Sequence, residues 1–263
     1  MPNYNVNLPF LPERTERPRD SGITMVMDKG ITLKHAEDFV DNYADYVDFV
    51  KFGFGTSVIS KNVKEKVKLY KKAGIKTYVG GTLFEAFIAR GQFDEYQKFI
   101  DAYGFDAAEV SDGSINMEHN SKCEYISKLS RNFTVLSEVG SKEEGIIIHP
   151  AKWTSMMKAE LEAGSFKVIA EARESGTVGI FHKNGSAHSM LITRITNKIK
   201  ATDIIWETPQ KSQQVYFINL FGPNVNVGNI SVDDVIPLET LRMGLRGDTF
   251  FNFLPEGEKE KVF

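Results

Sequence analysis

An acid and a base leave one apolar run in the stretch Phe133-Thr-Val-Leu-Ser-Glu-Val-Gly-Ser-Lys142. The run ends in Glu138, turns on Gly140 and presents Lys142. A buried strand that hands a carboxylate and an ammonium to the following loop is how an α/β barrel builds a site. The same arrangement recurs along the chain. Other apolar runs end in Asp28, Lys51, Gly80-Gly81, Glu109 with Asp112, Glu171 with Arg173, and Glu207; Asn219, Asn224 and Asn226 close the series. Carboxylates gathered around Lys51 and Lys142 would repel one another without a further cation among them. Carboxylates are hard oxygen ligands, and the chain offers no cysteine cluster and no His-x-x-x-His helix for softer ligation. The implied cation is Mg2+, with Glu109, Glu138 and Glu171, from three successive strands, as its expected ligands. The competing reading makes some of these glutamates ion-pair partners of Lys51 or Arg173 at a barrel mouth.

Two stretches suit an oxyanion. Gly80-Gly81-Thr82 opens a predicted helix and exposes backbone N–H groups there, although a tight strand-to-helix turn would need the same glycines. Gly222 to Gly228, with Asn224 and Asn226 inside it, follows the last predicted strand, near the usual phosphate site of barrels. The histidines point to less. His35 and His119 begin predicted helices, His149 precedes Pro150, and His182 and His188 lie in an irregular region. None falls in a Ser-His-Asp or Cys-His order. Cys123, the single cysteine, sits on a predicted helix and reads as packing.

The elements that must position these groups follow from periodicity. Strands are expected at 22–28, 46–52, 75–79, 106–111, 133–138, 166–171, 203–207 and 215–220, all short apolar runs such as strands covered on both faces show. Helices are expected at 35–46, 61–73, 83–89, 93–103, 118–130, 152–163, 186–198 and 231–245, with only a short turn at 209–213. Thr32 and Ser231 are the expected caps, and Gly74 and Gly164 the stops. Alternating strands and helices over this length predict a single-domain (β/α)8 TIM barrel at 21–250, with an irregular arm at 1–20 and a tail at 251–263. An open doubly wound sheet is the alternative. It would need a Gly-rich phosphate loop after the first strand, and Asp28-Lys-Gly30 is not one.

Composition narrows the partners. A net charge of −3 over 263 residues gives no nucleic-acid footprint. The first 20 residues carry Pro2, Pro9, Pro12 and Pro18 among charges rather than a basic and then apolar leader. No apolar run is long enough to cross a bilayer. With one cysteine, no disulfide forms within the chain, which favours a reducing, cytoplasmic setting. A homo-oligomer is compatible with the sequence.

Several stretches, in order, resemble the phosphosulfolactate synthase family. They are Arg17-Pro-Arg-Asp-Ser-Gly-Ile-Thr24, Lys51-Phe-Gly-Phe-Gly-Thr-Ser57, Gly80-Gly-Thr-Leu-Phe-Glu85, Phe105-Asp-Ala-Ala-Glu-Val-Ser-Asp-Gly113 and Leu136-Ser-Glu-Val-Gly140. Glu171-Ala-Arg-Glu-Ser-Gly176, Ile205-Trp-Glu-Thr-Pro-Gln210 and Phe221-Gly-Pro-Asn-Val-Asn-Val-Gly-Asn-Ile230 complete the set. The resemblance implies a (β/α)8 barrel that adds sulfite to C3 of phosphoenolpyruvate with Mg2+, giving (2R)-phospho-3-sulfolactate. In methanogens that product feeds coenzyme M synthesis; in bacteria relatives serve other sulfonates. The expected small-molecule partners are therefore phosphoenolpyruvate and sulfite. A lysine pair is expected after Ser-Glu-Val-Gly, and Ser141-Lys142 stands there. The resemblance then makes Lys142 the acid that protonates C2. It also makes Arg17, Arg19, Lys51 and Arg173, with Gly80, Gly81, Asn224, Asn226 and Gly228, the groups that hold the anions. Two alternatives remain at this stage. One is another barrel enzyme acting on a phosphorylated acid. The other is a non-catalytic or divergent barrel akin to the heat-stress-associated plant homologues.

Overall fold

The computed structural model describes residues 4–140 and 149–261, so Lys142 lies outside the described residues. The short apolar runs form eight strands: β1 Thr24–Asp28, β2 Phe49–Phe52, β3 Lys76–Val79, β4 Ala107–Val110, β5 Thr134–Val139, β6 Lys167–Ala170, β7 Ile204–Glu207 and β8 Val227–Ser231. The sheet order is β3-β2-β1-β8-β7-β6-β5-β4, and every ladder is parallel. At the seam the Asp106 N–H donates to the Thr77 carbonyl at 3.1 Å, bringing β4 beside β3. The result is a nearly closed (β/α)8 barrel, as the sequence predicts.

Helices return the chain between strands: α1 Leu33–Tyr43, α2 Val63–Lys72, α3 Gly81–Ile88, α4 Phe93–Tyr103, α5 His119–Leu129, α6 Pro150–Glu162, α7 Ser189–Thr196, α8 Lys211–Phe221 and α9 Val235–Arg242. Thr32 caps α1 as expected, its hydroxyl oxygen accepting the His35 N–H at 3.2 Å. A layer of Met25, Phe49, Tyr78, Ala107, Leu136, Ile169 and Ile205 fills the barrel. The larger core, between strands and helices, holds Trp153, Trp206 and most of the remaining aromatic residues.

The last strand differs from the sequence reading. Residues 215–220, read as a strand for their apolar run, belong to α8. A capping box between Gln210 and Gln213 starts that helix, and Gly222, at φ 84°, ends it. The strand is instead Val227-Gly-Asn-Ile-Ser231, whose asparagine and glycine resemble a loop. Gly228 is not a phosphate-loop residue. It faces the barrel interior, where a Cβ would stand 2.5 Å from Met25 Cε and 3.0 Å from Ile205 Cγ2.

Candidate active site

Strand alternation sets the site. Residues two places beyond the apolar barrel layer point to the same interior face, one step nearer the C-terminal mouth. Those residues are Lys51 after Phe49, Glu109 after Ala107, Glu138 after Leu136, Glu171 after Ile169 and Glu207 after Ile205. All five are buried, and they line a cavity of about 480 Å3 at the mouth. Met27, Gly80, Gly81, Thr82, Ser114, Arg173 and Asn229 complete much of its wall. Asp28 also ends a strand but points outward. Its carboxylate accepts the N–H groups of Gly30 and Ile31 at 2.7 and 3.0 Å and meets Lys66 Nζ at 2.7 Å.

Lys51 is the centre of a polar belt. Its ammonium lies 3.1 Å from Glu109 Oε2 and 3.3 Å from Glu207 Oε1. Burial alone would drive the lysine toward its neutral form, but the two carboxylates outweigh it and hold its pKa well above the ordinary value. The other oxygen of Glu109 accepts the Gly81 N–H at 2.6 Å. The α3 N-terminus is therefore capped from within, which leaves the Gly81 N–H committed to Glu109 rather than open to a ligand. A Cβ on Gly81 would stand 2.7 Å from that Glu109 oxygen, so glycine is needed for the approach. Burial lifts the Glu109 pKa to about 7; Lys51 opposes the rise, and Glu138 and Glu207 add to it. Burial raises Glu207 as well.

Glu138 and Glu171 line the cavity from the neighbouring strands β5 and β6. Glu171 packs against the Cα of Gly140, where a Cβ would stand 2.6 Å from its Oε2. Arg173 Nε is 3.7 Å from Glu171 Oε1, and the Arg173 side chain remains 44% exposed. Glu174 beside it pairs with Lys29 from the loop after β1. Behind β4, Glu85 of α3 accepts the Ser111 hydroxyl, and also the N–H groups of Gly113 at 3.0 Å and Ser114 at 2.7 Å. That fixes the loop which brings Ser114 to the cavity.

Four expected anion-binding residues lie elsewhere. Arg17 donates to the carbonyls of Ala44 (2.7 Å) and Ala73 (3.2 Å), at the C-terminal ends of α1 and α2. Arg19 meets Asp48, which precedes β2, at 3.1 Å, and donates to the carbonyls of Thr15 and Asp45 at 2.7 and 3.0 Å. Both arginines sit at the N-terminal end of the barrel, opposite the mouth. Asn224 and Asn226 precede β8 and occupy the same end. Asn224 contacts Arg14 and donates to the Glu13 carbonyl, and Asn226 accepts the Ile23 N–H at 3.0 Å. For the two asparagines the cause is the displaced eighth strand. Residues read as following it in fact lead into it.

The residue that occupies the mouth end of β8 is Asn229, absent from the sequence-derived set. It is buried, its backbone is left-handed at φ 56°, and its Oδ1 has no hydrogen-bond partner among the described residues. An asparagine is one of the few side chains that tolerates this conformation, and such strain collects at functional sites. No local sequence signal marks it: Asn229 follows Val-Asn-Val-Gly like any loop asparagine, and only the placement of β8 puts it at the mouth.

Comparison with known proteins identifies the family. Residues 12–248 match the family model for (2R)-phospho-3-sulfolactate synthase (ComA). The chain belongs to that family. It is 43% identical over 244 residues to phosphosulfolactate synthase of Methanothermobacter thermautotrophicus, covering 90% of this chain and 95% of that one. It is 41% identical over 244 residues to phosphosulfolactate synthase of Bacillus subtilis, covering 92% and 97%. Among solved structures, the YdjI aldolase of Escherichia coli K12 shares the fold at a TM-score of 0.54 and 10% identity, over 81% of this chain and 76% of that one. The family is one of enzymes acting on small molecules, and no helix among the described residues is long and apolar enough to cross a membrane.

Proposed function

We propose that the protein is a Mg2+-dependent phosphosulfolactate synthase, a carbon–sulfur lyase that joins sulfite to C3 of phosphoenolpyruvate. The observation that carries this reading is the mouth itself: buried glutamates from four successive strands, β4 to β7, held around Lys51 in a chain of this family. The cavity wall has five carboxylates, Glu109, Glu138, Glu171, Glu174 and Glu207, against Lys51 and Arg173. Anionic substrates entering such a cavity need added positive charge.

Among the described residues, no three carboxylate, imidazole or thiol groups converge tightly enough to ligate one ion as they stand. Glu109, Glu138 and Glu171 all line the cavity, with Glu109 held in place by Lys51 and the Gly81 N–H, and they are the candidates to hold the ion. Two carboxylates suffice for Mg2+, which usually keeps several waters and takes substrate oxygens as its remaining ligands. Mg2+ would supply the counter-charge for the carboxylate dianion that forms as sulfite adds.

The chain's own residues do the rest. Among the described residues Arg173, 44% exposed, is the cavity-wall cation most accessible to a substrate phosphate or carboxylate, and the Ser114, Thr82 and Asn229 side chains lie on the cavity wall for orientation. The sulfur lone pair forms the C–S bond at C3, the C2–C3 π electrons move toward the carboxylate, and a proton is delivered to C2. Lys142, four residues beyond Glu138, is the proposed acid for that proton. The product then enters sulfonate synthesis, of which coenzyme M formation is one route.

Purified protein, incubated with sulfite and phosphoenolpyruvate with and without Mg2+, should form phosphosulfolactate only with the metal, followed by phosphorus NMR. Lys142→Ala should lower turnover by roughly 100-fold or more. Folded protein that makes no product with Mg2+ present would overturn the reading. Full activity in Lys142→Ala would remove the acid assignment alone.

A further inference from the structure

Glu207 binds the backbone as well as a side chain at the mouth. One of its oxygens, Oε2, accepts two consecutive backbone N–H groups, those of Ala172 at 2.9 Å and Arg173 at 3.1 Å. In an extended chain successive N–H groups point to opposite sides, so both reach one oxygen only where the backbone curls into a nest. Arg173, the second of the two donors, then continues in the left-handed region, φ 56°. An arginine does not adopt this region without compensation. A buried carboxylate satisfying two N–H donors is such compensation. Its second oxygen faces Lys51 at 3.3 Å, and Lys51 in turn holds Glu109 and, through it, the Gly81 N–H. The belt therefore runs unbroken from the α3 N-terminus on one wall to the turn after β6 on the other.

We propose that Glu207 is a positioning residue: by filling the nest at Ala172 and Arg173 it fixes the turn that carries the Arg173 guanidinium to the mouth as the grip for a phosphate or carboxylate group. This rests on the assignment of Arg173 to a substrate anion made above. Substrate affinity at Arg173 then depends on a residue whose own carboxylate need not touch the substrate.

The test is a double-mutant cycle read by calorimetric binding of phosphoenolpyruvate in the presence of Mg2+, with kcat and the thermal midpoint measured alongside. Arg173→Ala should weaken binding roughly tenfold or more, as loss of a charge-assisted contact does. Glu207→Gln should weaken it by a similar factor. In the Arg173→Ala background, Glu207→Gln should weaken it no further, because the grip it positions is gone. Glu207→Asp, which keeps the charge and shortens the reach, serves the same cycle if the glutamine variant does not fold. Multiplying effects, or a Glu207 variant that lowers kcat with binding unchanged, would overturn the positioning role while leaving Arg173 in place. Unchanged binding in Arg173→Ala would remove the grip, and the role of Glu207 with it. A wild-type protein that did not bind phosphoenolpyruvate would overturn the functional reading as a whole.

Discussion

Glu109 shows how a carboxylate can be held from both sides and still be expensive to bury. Its carboxyl has Lys51 on one oxygen and the Gly81 N–H on the other, yet burial and the neighbouring Glu138 and Glu207 still hold its pKa at about 7. The folded chain then binds a proton there more tightly than the unfolded chain, whose carboxyl titrates near its usual value of about 4.3. Stability contributed by this group is therefore greatest at low pH and falls as pH rises from roughly 4.3 to about 7, then levels off. In Mg2+-free buffer, urea unfolding of wild type and Glu109→Gln should give curves of stability against pH that converge or part across that window. Parallel curves would mean that Glu109 does not titrate there. Lys51, Glu109, Glu138, Glu171 and Arg173 were legible as residues because each ends or directly follows an apolar run. Glu207 was legible as a position but not in its role, since its hydrogen bonds to the turn after β6 come from a separate strand. Asn229 was not legible, because nothing local marks a left-handed asparagine inside a strand.

At the scale of elements, seven of the eight strands stand where the apolar runs put them, and the exception has a physical cause. Val215 to Leu220 has strand-like composition, but the Gln210–Gln213 capping box and the glycine at 222 make it a helix. Helix and strand cannot be told apart by a short apolar run alone. Elements also hold one another in ways no single segment records. Lys122 of α5 reaches Asp112 at 3.0 Å, Glu160 of α6 at 2.9 Å and the Glu138 carbonyl at 2.5 Å. Burial opposes its charge, but Glu160 and Asp112 overcome that and raise its pKa. It thus ties the loop after β4 and the end of β5 to two helices, directly behind the glutamates of the mouth. Lys122→Met should cost about 3–5 kcal/mol in urea unfolding, because it strands the buried Glu160 without its cation. Adding Glu160→Gln should recover part of the loss. A Lys122→Met protein as stable as wild type would show that the network contributes nothing to the fold.

Across the whole molecule the two ends of the barrel carry different work. The C-terminal end gathers the glutamates, Lys51 and Arg173 around the cavity. At the N-terminal end, Arg17 and Arg19 come from the segment before β1 and are spent on helix-end carbonyls and on Asp48. Cations are favourable beside the carbonyls that close a helix, and burying those contacts needs no ligand. Sequence order could not separate these tasks. A segment preceding the first strand reads the same whichever end it covers, and motif resemblance brings structural arginines along with binding ones. Arg17→Ala therefore tests the division directly. It removes two hydrogen bonds at the ends of α1 and α2, so unfolding stability should fall by about 1–3 kcal/mol. KM for phosphoenolpyruvate should stay at the wild-type value, since the guanidinium is on the far side of the barrel layer from the mouth. A raised KM with unchanged stability would mean that the N-terminal arm reaches the substrate, and that the two ends are not separate in function.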